Sequence, residues 1–166
     1  MIKERKRLPV GVENFEQIIH DNYYYVDKTD LISELLRNGG MVNLFTRPRR
    51  FGKTLNMSML EHFFSIERDQ SIFDGLEISK DTKLCEGYMG KYPVISISLK
   101  GINAATYEEA FDFAVQIMKN AAGKMQFLLE SGNLSDFDKS EYKKLLDSGM
   151  SKAVFCSGLK TLSELL

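Results

Sequence analysis

A short basic segment between two apolar patterns constrains this chain more than any other feature. Residues 41–46 form an apolar run bounded by turn-forming residues, which predicts a buried strand. From Lys53 onward the pattern turns helical, with apolar residues four positions apart: Leu55, Met59 and Phe63. Between residues 41 and 60 there is no acid, and the basic side chains are Arg47, Arg49, Arg50 and Lys53. The segment predicts a strand–loop–helix unit with a local positive charge.

The loop ends in Gly52-Lys53-Thr54, the last three positions of the phosphate-binding Walker A sequence G-x-x-x-x-G-K-[ST]. Glycine lets the main chain approach phosphate oxygens, lysine can reach the β and γ phosphates, and a threonine hydroxyl can bind Mg²⁺. Backbone amides at the start of a helix also bind anions. We therefore expect ATP and Mg²⁺ to bind here, with Lys53 as the catalytic residue and Thr54 as the metal ligand. The residues expected to hold the nucleotide are Arg49, Arg50, Phe51, Gly52, Lys53, Thr54 and Leu55.

The match to the Walker A sequence is incomplete. Arg47 occupies the first glycine position, and Pro48 removes one N–H from the loop. Arg49 or Arg50 can partly compensate, because a guanidinium group binds two phosphate oxygens at once. The ring of Phe51 is expected to pack under the loop rather than stack on a base.

Other interpretations of the same residues stay open. Clustered basic side chains are typical of a solvated surface loop, and they also neutralise the phosphates of nucleic acids. A nucleic-acid-associated module would need Arg47, Arg49 and Arg50 but not Thr54. A non-functional, truncated remnant would instead associate with itself through exposed sheet edges.

The rest of the chain predicts helices and one more strand, at about residues 93–99. Strands separated by helices favour an α/β fold with a parallel sheet. The second strand is followed by Leu99-Lys100-Gly101, which offers no carboxylate for Mg²⁺. We find no acidic Walker B strand in the chain, so hydrolysis is not expected from these residues alone. Helices are predicted near 15–19, from Thr29 or Asp30 to Gly39, from Thr106 to Gly132-Asn133, and at about 138–148 and 151–166.

Composition is that of a globular protein and excludes several other classes. The 166 residues leave room for one domain, 43% of them are hydrophobic, and the formal charge is −1. No apolar run approaches about 18 residues and no signal peptide is recognised, so a cytoplasmic location is expected. The two cysteines lie far apart, which excludes a disulfide framework or a zinc ribbon. His62, on the helix after the loop, is expected at the surface or in packing.

Several blocks of sequence occur in order along the first hundred residues: Leu8–Phe15, Tyr25–Thr29, Leu44–Leu55, Met59–Phe64 and Tyr92–Ile95. Together they resemble the predicted AAA-ATPase-like family of bacterial P-loop proteins. The resemblance implies a P-loop NTPase-like three-layer sandwich with a parallel sheet, incomplete in this chain and helix-rich toward its C-terminus. It implies that Gly52, Lys53 and Thr54 bind nucleotide phosphate and Mg²⁺. It also makes an arginine at the first glycine position a trait of the family.

The same resemblance implies that residues 1–166 are the N-terminal part of a single ATPase-like domain. In this family the acidic strand comes later in the chain, and a domain resembling PD-(D/E)XK nucleases usually follows, which implies nucleic acid as a partner of that later domain. Neither element is expected in this chain. The motif Val26-Asp27-Lys28-Thr29 matches the family without an assigned chemical role, and it could tie the N-terminal segment to the sheet.

Overall fold

The computed structural model describes residues 5–66 and 68–166. Two 3-10 turns, Ser71–Phe73 and Glu77–Lys80, lie between the third and fourth α-helices. The chain divides into two compact units, Met1–Val94 and Ile95–Leu166. The helices are α1 (Phe15–His20), α2 (Asp30–Asn38), α3 (Lys53–Phe64), α4 (Thr82–Tyr88), α5 (Tyr107–Gly123), α6 (Phe127–Glu130), α7 (Asp136–Leu145) and α8 (Lys152–Glu164).

The first unit has an aromatic core to which α1, α3 and the 3-10 turns contribute. The ring of Phe73 lies 5.2 Å from that of Phe15 and 5.3 Å from that of Phe63, between centroids. Burial of one such ring contributes about 1.5–3 kcal/mol. The core therefore holds the C-terminal half of α3, the helix that follows the basic loop. The buried residues of this cluster are Phe15, Ile32, Met59, Phe63, Ile72, Phe73 and Ile78.

The second unit consists of α5 to α8 around a separate core. The buried hydroxyl of Tyr142 donates a hydrogen bond of 2.6 Å to the carbonyl oxygen of Ala122, which satisfies its polar group inside the core. Burial raises the pKa of Tyr142. The core residues of this unit are Val115, Met118, Ala122, Met125, Leu128, Tyr142, Leu145, Met150 and Leu162.

The predicted parallel sheet is wrong. Helix accounts for 53% and strand for 1% of the structure, and across residues 5–66 and 68–166 the strand content is one isolated parallel bridge between Ser65 and Tyr92. Residues 41–46 and 93–99, predicted as strands, are not paired with each other. A parallel strand is stable only when neighbours satisfy its amides and cover both faces. The α/β P-loop NTPase-like three-layer sandwich is therefore not the fold observed.

The exposure of the first predicted strand supplies the physical reason. Met41, Val42 and Leu44 are 85–105% exposed, so the apolar run that predicts a buried strand is not covered. An apolar run forms a buried strand only when another element packs on it. The expected self-association through sheet edges loses its structural basis as well, because the described residues contain no sheet.

The helix predictions are mostly confirmed. α1, α2, α3, α7 and α8 lie where the apolar spacing places them, within a few residues at the ends. The single helix predicted from Thr106 to Gly132-Asn133 is too long, because α5 ends at Gly123 and the short α6 follows. The amide of Met125 donates to the carbonyl oxygen of Ala122 (2.8 Å), a tighter turn than an α-helix allows.

Candidate functional site

The C-terminal half of α3 is fixed in the core of the first unit. Met59, His62 and Phe63 are buried on it. The hydroxyl of Ser58 accepts a hydrogen bond of 3.0 Å from the amide of Phe15, which joins α3 to the start of α1. The helix thus has a rigid base from which its first turn and the preceding loop extend.

His62 contributes to this base as a packing residue, as expected. Its side chain is 2% exposed, and Nδ1 lies 2.6 Å from the carbonyl oxygen of Ser58. A carbonyl oxygen only accepts, so Nδ1 carries the hydrogen of that bond. Nε2 lies 3.4 Å from Oε2 of Glu16, on α1. The imidazole therefore links two helices below the loop.

The first turn of α3 has open backbone donors. Gly52 precedes the helix in the left-handed conformation (φ 72°, ψ 17°), and its carbonyl oxygen accepts the first helical hydrogen bond from Asn56 (2.9 Å). Within the described ranges, no side chain caps the amides of Lys53, Thr54 and Leu55, and the first turn contains no acid. The positive end of the helix dipole therefore lies at three N–H groups for which the described residues provide no acceptor.

The side chains of the loop add positive charge at the same place. Arg47, Arg49 and Arg50 are exposed. Among the residues that the structure describes, none of these arginines is paired with a carboxylate. The ammonium group of Lys53 folds back over the loop and donates to the carbonyl oxygens of Arg47 and Pro48, at 2.8 Å for the latter. The loop thus collects donors and cations with no opposing carboxylate in the part of the chain that the structure describes.

One backbone angle and one side-chain position in the loop differ from what the sequence predicts. Arg50 has a φ of 67°, in the left-handed region. This conformation costs an L-residue roughly 1–2 kcal/mol, because Cβ approaches the following carbonyl oxygen. The prediction that Phe51 packs under the loop is wrong, since its side chain is 61% exposed. The loop lies at the surface, and Phe51 does not belong to the apolar residues packed on the core of its unit.

The motif Val26-Asp27-Lys28-Thr29 has a structural role in the first unit. One carboxylate oxygen of Asp27 accepts from the amide and the hydroxyl of Thr29 (2.9 and 2.7 Å), and the other accepts from the amide of Glu77 (2.7 Å). The buried hydroxyl of Thr29 in turn accepts from the amide of Ile78 (3.0 Å). These bonds tie the motif to the 3-10 turn Glu77–Lys80 and not to a sheet, the alternative that the sequence suggests.

The carboxyl of Asp27 has a lowered pKa. Partial burial raises it, but the hydrogen bonds from Thr29 and Glu77 and the charge of Lys80 outweigh that effect. Asp27 is therefore an acceptor held in place by three donors. Its neighbour Lys28 donates its amide to the hydroxyl of Tyr25 (3.2 Å), which reaches Sδ of Met59 on α3.

Ligands for Mg²⁺ at the loop would come from hydroxyl, phosphate and water oxygens. The side chain of Thr54 is exposed on the first turn of α3. Over residues 5–66 and 68–166, no three His, Cys, Asp or Glu side chains cluster as metal ligands. Mg²⁺ prefers oxygen ligands, keeps several waters and binds readily through substrate phosphates, so the donor set fits a metal that arrives with a nucleotide. In the same described ranges, no helix is both long and apolar enough to cross a membrane.

Comparison with known proteins identifies the family. The family described as Predicted AAA-ATPase matches residues 9–157. The chain belongs to this family. The predicted AAA-ATPase family indicates nucleotide binding, and the match confirms the resemblance that the sequence blocks carry.

One similar protein has a name that states only the position of its gene. The chain is 37% identical over 98 residues to the "Uncharacterized protein in vnfD 5'region" of Azotobacter chroococcum mcd 1. The alignment covers 58% of this chain and 18% of that relative, so the matched part spans less than a fifth of the relative's length. No solved structure matches the chain.

Proposed function

We propose that this predicted AAA-ATPase binds a nucleoside triphosphate with Mg²⁺ through the loop at residues 47–52 and the first turn of α3. The observation that carries the proposal is the uncapped start of α3, where the amides of Lys53, Thr54 and Leu55 face no protein acceptor among the described residues. Family membership supports a nucleotide as the ligand. The chemistry fits, because phosphate oxygens are the acceptors that open helix amides and lysine bind best.

The side chains of Lys53 and Thr54 and the backbone amides of the loop have different roles in binding the nucleotide. Lys53 exchanges the carbonyl oxygens of Arg47 and Pro48 for oxygens of the β and γ phosphates, so a contact within the loop is replaced by a stronger charged one. The amides of residues 50–55 bind the phosphate chain. Thr54 supplies a hydroxyl ligand to Mg²⁺, and the cation shields the negative charge of the phosphates.

Binding without hydrolysis is the activity we propose for residues 1–166. Hydrolysis needs an acid that holds Mg²⁺ and a group that orients the attacking water. Residues 41–60 contain no acid, and Leu99-Lys100-Gly101 follows the second apolar run. We further propose that these residues are the N-terminal part of a longer ATPase-like domain. The relative is much longer than the part that matches, since the alignment covers 18% of it. The acidic element and a nuclease-like domain that contacts nucleic acid would then belong to other parts of such a protein.

The test is calorimetric titration of the chain with Mg·ATP. We expect micromolar affinity for the wild type and a loss of at least about 30-fold in Lys53→Ala, because a charged hydrogen bond to phosphate contributes about 1.5–3 kcal/mol and this one serves two phosphates. Lys160→Ala, which removes a well-exposed lysine from α8, is the matched control and should bind as the wild type does. Equal affinity in Lys53→Ala and Lys160→Ala would overturn the proposal.

A second candidate function is binding of nucleic acid without nucleotide, favoured by the exposure of Arg47, Arg49 and Arg50. This function predicts affinity for DNA or RNA that falls steeply with salt, with a slope that drops when the three arginines are replaced by alanine. Thr54→Ala would leave such binding unchanged. The same variant would weaken Mg·ATP binding, so the two functions are separable.

A further inference from the structure

A polar cleft in the first unit lies between α2, the 3-10 turn Glu77–Lys80 and the start of α4. Its volume is about 450 Å³, within the range of about 300–1,000 Å³ that is typical of small-ligand sites. Among the described residues, no aromatic or aliphatic side chain lines it, which disfavours an apolar ligand. A neutral ligand that carries both charges fits better than a polyphosphate, because carboxylates and cations line the cleft in equal number. The carboxylates are those of Asp30, Glu77 and Asp81, and the cations are Arg37, Lys80 and Lys83.

Two ion pairs occupy four of these charges: Arg37 with Asp81, and Lys80 with Glu77 at 2.5 Å. The remaining two, those of Asp30 and Lys83, form no ion pair or side-chain hydrogen bond in the part of the chain that the structure describes. Asp30 begins α2, and Arg37 follows seven residues later, about 10 Å along the helix. Lys83 lies two residues after Asp81, the partner of Arg37. The unpaired anion and the unpaired cation thus lie toward opposite ends of the cleft.

Ser33 lines the cleft between these two ends and is buried, at 5% exposure. It lies on the same side of α2 as Asp30 and Arg37, three residues after the first and four before the second. In the described ranges its hydroxyl has no hydrogen-bond partner, whereas the buried hydroxyl of Thr29, one turn earlier, has two. Buried polar groups without a partner are rare in folded proteins. An unpartnered hydroxyl at the base of a cleft therefore points to a ligand that supplies the missing bond.

We propose that this cleft binds a short peptide with free termini. The ammonium group of the peptide pairs with Asp30 and its carboxylate pairs with Lys83, while the hydroxyl of Ser33 donates to a peptide carbonyl oxygen between them. An extended chain covers about 3.3–3.6 Å per residue, so a tripeptide spans the roughly 10 Å between the two ends of the cleft. The site shares no residue with the loop before α3, so it stands whether or not that loop binds a nucleotide.

The probe is triglycine, which carries both termini and no side chains, added to the ¹⁵N-labelled chain in an NMR titration. We expect the amide resonances of Ser33 and Lys83 to shift most and to give a millimolar dissociation constant. Asp30→Asn should weaken binding about 10-fold, because it removes the charge that pairs with the ammonium group. Asp136→Asn is the matched control, since Asp136 is likewise the first residue of its helix, α7, and it should bind as the wild type does.

Blocking one end of the peptide assigns the ends to their partners. N-acetyltriglycine lacks the ammonium group, so it should bind the wild type about 10-fold more weakly than triglycine and lose nothing further in Asp30→Asn. Triglycine amide lacks the carboxylate, and Lys83→Ala should likewise not weaken its binding. An additional loss in either combination would contradict the proposed pairing.

Ser33→Ala separates binding from folding. Its melting temperature should match or exceed that of the wild type, because the hydroxyl has no partner to lose among the described residues and alanine favours a helix. Its affinity for triglycine should fall about 3- to 10-fold. A lower melting temperature with unchanged affinity would assign the hydroxyl to the fold and overturn the proposal. Equal affinities of Asp30→Asn and Asp136→Asn, or cleft resonances that stay in place at millimolar triglycine, would overturn it as well.

Discussion

The start of α3 differs from the starts of α5, α7 and α8. Thr106 accepts from the amide of Glu109 at 3.2 Å, and Ser151 accepts from the amide of Val154 at 3.3 Å. Ser135 and Asp138 form a reciprocal capping box at the start of α7. α3 begins instead after Gly52, with no acid in its first turn and, in the described ranges, no capping side chain.

The starts of α5, α7 and α8 are closed by N-cap side chains, whereas we propose that the start of α3 is open to a ligand. A capping Ser, Thr or Asp stabilises a protein by about 1 kcal/mol over alanine. α3 forgoes that stabilisation although its C-terminal half is fixed by Met59 and Phe63. A rigid helix with an open, basic start fits an anion that is supplied from outside the chain.

An acidic side chain at the start of α3 should cause the largest loss of Mg·ATP affinity. Thr54→Asp places a carboxylate beside the open amides and Lys53, so we expect Mg·ATP affinity to fall at least about 100-fold. The melting temperature should stay the same or rise, because an acid in the first turn stabilises a helix by about 0.3–1 kcal/mol. Thr54→Asn, which also removes the hydroxyl but adds no charge, should lose less affinity in the same calorimetric titration. Equal losses of Mg·ATP affinity in the two variants would show that the added charge has no effect. That result would contradict anion binding at the start of α3.

The start of α2 presents a third arrangement. There the Thr29 hydroxyl does not cap its own helix but accepts a hydrogen bond from the amide of Ile78 in the 3-10 turn Glu77–Lys80. Thr29→Val leaves the buried amide of Ile78 without its acceptor, so we expect the free energy of unfolding to fall by about 1–3 kcal/mol. Thr29→Ser keeps the hydroxyl and should lose less in urea denaturation. The affinity of the folded protein for Mg·ATP should stay within about twofold. A valine variant as stable as the serine variant would contradict the role of this bond.

Removing the cap of a capped helix should lower the stability of the protein and leave its Mg·ATP affinity unchanged. Ser151→Ala removes the cap of α8 and should cost about 1 kcal/mol in thermal denaturation, with unchanged Mg·ATP affinity. Ser157→Ala, on the same helix, removes a hydroxyl that, among the described residues, bonds to carbonyl oxygens of the preceding turn, at 3.3 Å. We expect that control to change stability by less than about 0.5 kcal/mol. Equal effects of the two variants would mean that the cap does not stabilise α8.

The smallest expected effect is the pH dependence of the α7 cap. Hydrogen bonds from the Ser135 hydroxyl and amide lower the pKa of Asp138. A carboxyl whose pKa is lowered by folding stabilises the protein above its unfolded pKa of about 3.9, and this contribution is lost as the pH falls through the folded value. The difference in unfolding free energy between the wild type and Asp138→Asn should therefore narrow below about pH 4. A constant difference from pH 6 to pH 2.5 would be inconsistent with this cap.

Helix starts could be predicted from the sequence because they depend on local chemistry. The position of Thr106 before α5 and the cluster of apolar residues in α3 follow from capping and spacing rules that involve neighbours in the chain. The strands could not be predicted in the same way. A strand exists only with a partner, and Met41 and Leu44 in the first predicted strand are exposed instead of covered.

The candidate site likewise has features that follow from local sequence and features that do not. The loop residues Gly52, Lys53 and Thr54 are contiguous, so their proximity follows from the sequence itself. The bond between Thr29 and Ile78 joins residues 49 positions apart, and no local pattern indicates it. The left-handed backbone at Arg50 was also missed, because steric preference predicts glycine there rather than arginine.

The most direct test of the open helix start is an amide ¹H–¹⁵N NMR titration of the chain with Mg·ATP. If the amides of Lys53, Thr54 and Leu55 bind phosphate, their resonances and that of Gly52 should shift most, while those of the capped residues Asp138 and Val154 stay in place. Lys53→Ala should show none of these shifts at the same ligand concentration. Shifts concentrated away from residues 50–55, or unchanged resonances at saturating Mg·ATP, would contradict phosphate binding at the start of α3.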